Sequence, residues 1–132
     1  MTSDRKYDLE ERLIDFAVAI ADVVDVLPDN RTGNHIAGQL IRSGTSAAPN
    51  YGESQGAESR KDFIHKMKIS LKELKETRVW LKVIARKNYL KNGTLLQTAS
   101  QECEELIRIF AKSVSTAEKN MLNRKRRKGD IV

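Results

Sequence analysis

Glu73 and Glu76, three apart in the run KELKET, are the pair of carboxylates in this 132-residue sequence that first suggests acid–base chemistry. Two acids at that spacing project from the same side of a helix, where they could share a proton or a cation. The run also supplies Lys72 and Lys75, so the pair reads as part of an ion-pair network rather than a catalytic dyad. His35 and His65 are the only histidines and Cys103 the only thiol. His65 falls between basic residues on the outward side of its helix. His35 has no base or nucleophile expected beside it, and Cys103 lies near an apolar face, where a small buried hydrophobe is the ordinary role. A single cysteine excludes an intramolecular disulfide, and two histidines with one thiol make a zinc site a poor fit. The glycines around Gly44 and Gly52 lack the strand–turn–helix setting of a phosphate-binding loop, and no nucleophile elbow occurs. No catalytic residue, metal, cofactor or small-molecule substrate is expected.

The basic residues are the stronger signal. Arg124, Lys125, Arg126, Arg127 and Lys128 are consecutive, more than the end of a helix needs to offset its dipole. They and Asp130 account for most of the net charge of +6, leaving the rest of the chain at +2. Lys61, Lys68, Lys72, Lys75, Lys82 and Arg86 recur along one side of a helix. Dense positive charge attracts phosphate backbones without reading sequence. Aromatic residues are only 5% of the chain and none interleaves with the basic runs, which disfavours a base-stacking single-strand platform. The candidate nucleic-acid-binding residues are therefore Arg124 to Lys128 with Lys68, Lys72, Lys75 and Lys82.

These side chains sit on four expected helices. Leu9, Leu13, Phe16, Ile20, Val24 and Leu27 mark a first helix over residues 8–27, stopped before Pro28. Ile36, Leu40, Ala47 and Tyr51 mark a second, dense in small residues and kinked at Pro49, ending near Gly56. The third spans about 60–88, with Ser59 as its cap and Phe63, Met67, Ser70, Leu74, Thr77, Leu81 and Ile84 as its core face. After an Asn92-Gly93 turn, the fourth starts near Leu95 with Leu95, Ala99, Leu106, Phe110, Ala117 and Met121 facing inward. Short turns between such helices predict an all-α, antiparallel up-down-up-down bundle over residues 1–123, followed by a basic tail over 124–132. The start lacks signal-peptide character and no apolar run approaches a membrane span, so a cytoplasmic protein without membrane partners is expected.

Additional stripes point to self-association. Ile69, Glu73, Glu76, Trp80 and Val83 flank the core face of the third helix, while Ile14, Val18 and Ala21 form a minor apolar stripe on the first. A single bundle buries one face of each helix, so Ile69, Trp80 and Val83 are expected to meet Ile14 and Val18 of a second copy. Residues 4–29 hold eight acids and three bases, and residues 60–91 eleven bases and three acids, a complement that favours a head-to-tail ring.

With LIRSGTSAAPNYGES, KDFIHKMKISLKELKET and the following WL in that order, the sequence resembles a bacterial four-helix-bundle family encoded by intervening sequences within 23S ribosomal RNA genes. The fold also resembles that of the accessory variability determinant of diversity-generating retroelements, a basic homopentameric barrel that binds nucleic acid and a reverse transcriptase. The resemblance implies a homopentamer with no established activity. It also implies that Arg42 pairs with Glu73 and Glu76, and that Asn50 and Tyr51 serve the helix around Pro49. Arginine's planar fork suits two carboxylates at once, and partial burial would make loss of Arg42 strongly destabilising. The reading is a non-enzymatic homo-oligomeric scaffold for RNA or DNA; the alternative is an adaptor docking a larger protein such as a reverse transcriptase.

Overall fold

The computed structural model describes residues 8–129, which form four helices: α1 (Leu9–Asp25), α2 (Arg31–Gln55), α3 (Arg60–Lys87) and α4 (Gly93–Arg127). Each begins at a short polar side chain that accepts from an otherwise unpaired first-turn amide. Asp8 accepts from Glu11 N at 3.2 Å, Asn30 from Gly33 N at 2.8 Å, Ser59 from Asp62 N at 3.0 Å and Asn92 from Thr94 N at 3.1 Å. Asn92 therefore starts α4 at Gly93, slightly before the expected Leu95. At the far end of α3, Asn88 adopts φ 58°, the left-handed conformation that closes a helix and that asparagine tolerates.

α2 runs unbroken through Pro49. Proline removes the N–H that would serve the carbonyl four residues earlier, and side chains crowd in around it. Asn50 Nδ2 donates to the Ser46 carbonyl at 2.9 Å, Ser46 Oγ to the Ser43 carbonyl at 3.1 Å, and Thr45 Oγ1 to the Ile41 carbonyl. Tyr51 packs edge-on against Phe110 with ring centroids 5.8 Å apart. Tyr51 fills the adjacent core, whereas Asn50 bonds to the Ser46 carbonyl, one residue past the Thr45 carbonyl that Pro49 leaves unserved.

Consecutive helices pack side by side, and α1 against α4 closes the four-membered arrangement. Cross-helix pairs run in opposite order, Ser43 with Thr77 but Ser54 with Met67, and Leu74 with Cys103 but Lys68 with Glu118, so neighbours are antiparallel. Arg12 bridges α1 to α4 with a two-pronged bond to Glu102, Nε at 2.9 Å and Nη2 at 2.8 Å. At about 1.5 Å rise per residue, α1 is half as long as α4 and can flank only part of it.

The core holds the expected faces with two shifts of one residue. Ile64, not Phe63, is the first buried residue of α3, and Val23, not Val24, is buried in α1. An apolar stripe more than 100° wide straddles adjacent positions, and Phe63 and Val24 pack half-buried against the same core. The basic run expected as a separate tail is helical through Arg127, with Lys128 as the cap, so it forms the last turns of α4; residues 130–132 lie outside the described residues.

Close packing of α1 on α2 depends on Gly44, where an added Cβ would lie 2.6 Å from Cγ2 of fully buried Ile20. That side chain is β-branched and stiff, so it cannot swing clear. Gly44→Ala should lower the melting temperature by a few degrees, because overpacking at about 1–3 kcal/mol outweighs a gain of up to about 1 kcal/mol in helix propensity. Gly38→Ala, with nothing within 4 Å of its Cβ, should raise it. Thermal melts of both variants check the contrast, and equal shifts would remove Gly44 from the packing account.

Candidate nucleic-acid interface

α3 contributes to every surface of interest because its sides face three environments. Met67, Ser70, Leu74, Thr77, Leu81 and Ile84 point inward; Glu73, Glu76 and Trp80 lie against α2; Lys72, Lys75, Lys82 and Arg86 point outward and are exposed. Val79, 54% exposed, sits among these outward cations. Among the described residues none of the four cations makes an ion pair. Lys68 differs, because its Nζ lies 2.8 Å from Glu118 of α4, which offsets its charge.

On the α2 side the expected network forms. Arg42 Nη1 donates to Glu73 Oε1 at 3.2 Å and Nη2 contacts Glu76 Oε2. The Trp80 indole N–H donates to the same Glu76 oxygen at 3.2 Å, and the His35 ring meets Trp80 edge-on at 5.9 Å. The Arg42 side chain is 49% exposed while Glu73 and Glu76 are less so, at 19% and 32%, which makes the expected cost of losing it smaller than full burial would. Solvent screens such a pair, so Arg42 orients Glu76 and Trp80 more than it stabilises the fold. The Arg42 hydrogen bond is the main cause that holds the Glu76 carboxyl below its ordinary value, aided by the Trp80 bond and the charges of Arg42 and Lys72, against partial desolvation.

The expected interface stripes are unequal. Ile14 and Val18 are 40% and 56% exposed, as an uncovered stripe requires, and Ala21 is half-buried. Ile69 is half-buried, and Trp80 and Val83 pack against the chain's own core, so the α3 stripe is partly consumed within the chain. The cause is α2, whose His35 covers the indole. This contact joins residues far apart in sequence, and nothing in their spacing announces it. Arg12–Glu102 and Arg78–Glu104, which tie α4 to α1 and α3, were hidden for the same reason.

The groups that sequence set aside as chemistry are inert or scattered. Cys103 is fully buried with Sγ 3.4 Å from the Leu74 carbonyl, and burial pushes its thiol up to about 12, far from a reactive thiolate at neutral pH. His65 is exposed on the outer side of α3. Among the described residues no group of three or more His, Cys, Asp or Glu side chains could hold a metal, and no helix is long and apolar enough to cross a membrane.

The profile of the 23S rRNA-intervening sequence protein family matches residues 5–112. The chain belongs to this family. The match takes in α1 to α3 and the first part of α4, and leaves Arg124 to Lys128 beyond it. A crystal structure of a protein of unknown function from the S23 ribosomal protein family of Bacteroides thetaiotaomicron VPI-5482 is similar, with 30% sequence identity and a TM-score of 0.72 over 80% of this chain and 96% of that one. No curated protein matches the chain. The family and the all-helical bundle agree with what the central motifs implied.

Trp80, the chain's only tryptophan, reports on Glu76 directly. A carboxyl whose folded pKa is depressed contributes stability above its ordinary value, and that contribution is lost as pH falls through the folded pKa. Trp80 fluorescence should therefore change with a midpoint below the ordinary 4.5 of Glu76, and Arg42→Ala should move the midpoint upward. Identical midpoints in the two proteins would show that Arg42 does not hold the carboxylate in solution.

Proposed function

We propose that the protein is a non-enzymatic, homo-oligomeric scaffold that binds RNA or DNA by charge, without reading sequence. The observation that carries this reading is the set of exposed cations that make no ion pair among the described residues: Lys72, Lys75, Lys82 and Arg86 outward on α3, and Arg124 to Lys128 at the end of α4. Like charges held together repel one another, and a polyanion relieves that repulsion while releasing its own counterions. Lys68 contributes less, being paired with Glu118. The family's naming after 23S rRNA intervening sequences is compatible with this reading but assigns no ligand.

Self-association is supported by Ile14 and Val18, exposed on α1 beside exposed Asp15 and Asp22. The flank of a second copy's α3 at Ile69, Trp80 and Val83, half-buried within its own chain, is the partner surface in this reading, which leaves the outward stripe of Lys75, Lys82 and Arg86 open to the polyanion while the charge of α3 still complements acidic α1. The ring closes when such a head-to-tail contact repeats, and five copies is the number the family resemblance implies.

Filter binding of RNA and DNA duplexes of unrelated sequence, on material whose mass is read by light scattering, tests both parts. Affinity should fall steeply with salt and barely differ between sequences, on particles several times the 15.0 kDa chain mass. No binding at low salt, or binding indifferent to salt, would sink the charge-driven reading. A monomer at micromolar concentration would sink the scaffold.

A further inference from the structure

The start of α3 and the end of α4 meet at one corner of the bundle. Arg60, the first residue of α3, lines an open depression there with Arg124, Lys125 and Lys128 of α4, above Met121. Positions 124, 125 and 128 share one side of a helix, so these three face Arg60 while Arg126 and Arg127 project elsewhere. Lys61 is exposed beside Arg60. Of the nearby acids among the described residues, Glu118 pairs with Lys68 at 2.8 Å and Asp62 accepts from the Glu58 amide at 3.4 Å, while the Glu58 carboxylate is exposed and makes no ion pair. Among the described residues, Arg60, Arg124, Lys125 and Lys128 form no ion pair.

Local stability does not account for this cluster. The end of α4 carries partial negative charge that one or two cations offset, and five exceed it. Arg60 stands at the opposite kind of end, where the helix start is already positive and an acid is the favourable residue. A cation placed against its helix dipole and against three other cations is explained by an anion that joins them. The α4 side of the corner lies beyond residue 112, where the family match ends.

We propose that this corner is a two-helix phosphate clamp that grips the backbone of a double-stranded nucleic acid, with Arg60 as the member contributed by α3. The inference rests on the nucleic-acid reading above and goes further by locating the backbone at the end of the bundle rather than along the α3 lysines. A duplex fits better than a single strand because, among the described residues, no aromatic side chain lines the depression on which an unpaired base could stack. Guanidinium and ammonium groups from two rigid helices can meet phosphates without deforming the protein.

Filter binding of a blunt RNA duplex to the full chain, across a salt series, tests the clamp with Arg60→Glu and with Lys72→Glu as the contrasting change on α3. Arg60→Glu should make the log–log salt slope shallower by about 0.9 or more and weaken binding by at least roughly eightfold near 0.1 M salt, the factor one lost phosphate contact gives. It should not lower the melting temperature, because an acid suits the first turn of a helix. Arg124→Glu should act in the same direction, and Lys72→Glu should have the smaller effect. Unchanged binding in Arg60→Glu alongside loss in Lys72→Glu would overturn the clamp and leave the nucleic-acid reading standing. Parent protein that binds no duplex at any salt would remove that reading, and the clamp with it. Tighter capture by phosphatidylglycerol vesicles than by the duplex would also overturn the proposal.

Discussion

The close approach of α2 to α3 is the constraint on which the rest of the structure depends. Two helices come together only where the side chains between them are small, and this seam is built from Ser43, Ala47 and Ser54 facing Ser70 and Thr77, all buried. Their hydroxyls need partners there. Ser70 donates to the Ala47 carbonyl at 3.4 Å, Ser54 to the Tyr51 carbonyl at 2.6 Å, and Thr77 Oγ1 lies 3.0 Å from Ser43 Oγ and 2.8 Å from the Glu73 carbonyl. Among the described residues no buried side-chain N or O lacks a partner. Sliding or rotating one helix would break two bonds that cross the seam, Ser70 to the Ala47 carbonyl and Thr77 to Ser43, and would leave Ser70 buried without a partner, so the seam favours one register. With that register set, Arg42 reaches Glu73 and Glu76, His35 covers Trp80, and the α3 lysines are left facing solvent.

Charge then divides the surface. α1 is acidic and fastened to α4 by the Arg12–Glu102 fork; burial works against the Arg12 cation, but the Glu102 bond outweighs it and its pKa is raised. α3 turns its acids toward α2 and most of its bases outward. The bundle therefore sorts part of its charge: each helix spends one face on the core, α1 is left acidic and the outer side of α3 basic, while α4 mixes both signs before its basic end. Long-range attraction of a polyanion needs only that segregation, not a pocket.

The sequence made much of this legible, for reasons that residues display. Periodicity located four helices and six of the seven inward positions expected of α3, because one buried stripe per helix leaves a local imprint. Ser59 announced the start of α3 through cap chemistry, whereas Asn92 read as a turn residue and is in fact the cap of α4. Phe63 and Val24 were misplaced by one residue because a broad stripe includes neighbouring positions. The reach of α4 through the basic run was missed because arginine and lysine suit a helix end and a solvated tail equally well. Contacts between distant residues left no local imprint at all. His35 on Trp80, Arg12 on Glu102 and Arg60 beside Arg124 exist only once the helices pack, and the exposure of Arg42 follows from where the bundle surface falls.

If the α2–α3 hydroxyl seam sets the register, Ser43 and Thr77 must act as a unit. A double-mutant cycle with Ser43→Ala and Thr77→Val, read by denaturant unfolding, measures this directly. Each hydroxyl keeps a carbonyl of its own helix when the other is removed, Glu73 for Thr77 and Leu40 for Ser43, so each single change should cost about 0.5–1.5 kcal/mol, while the double variant should cost less than the two together, with a coupling of at least about 0.5 kcal/mol. Losses that add within about 0.3 kcal/mol would contradict the account, because the two hydroxyls would then be incidental to the packing they line.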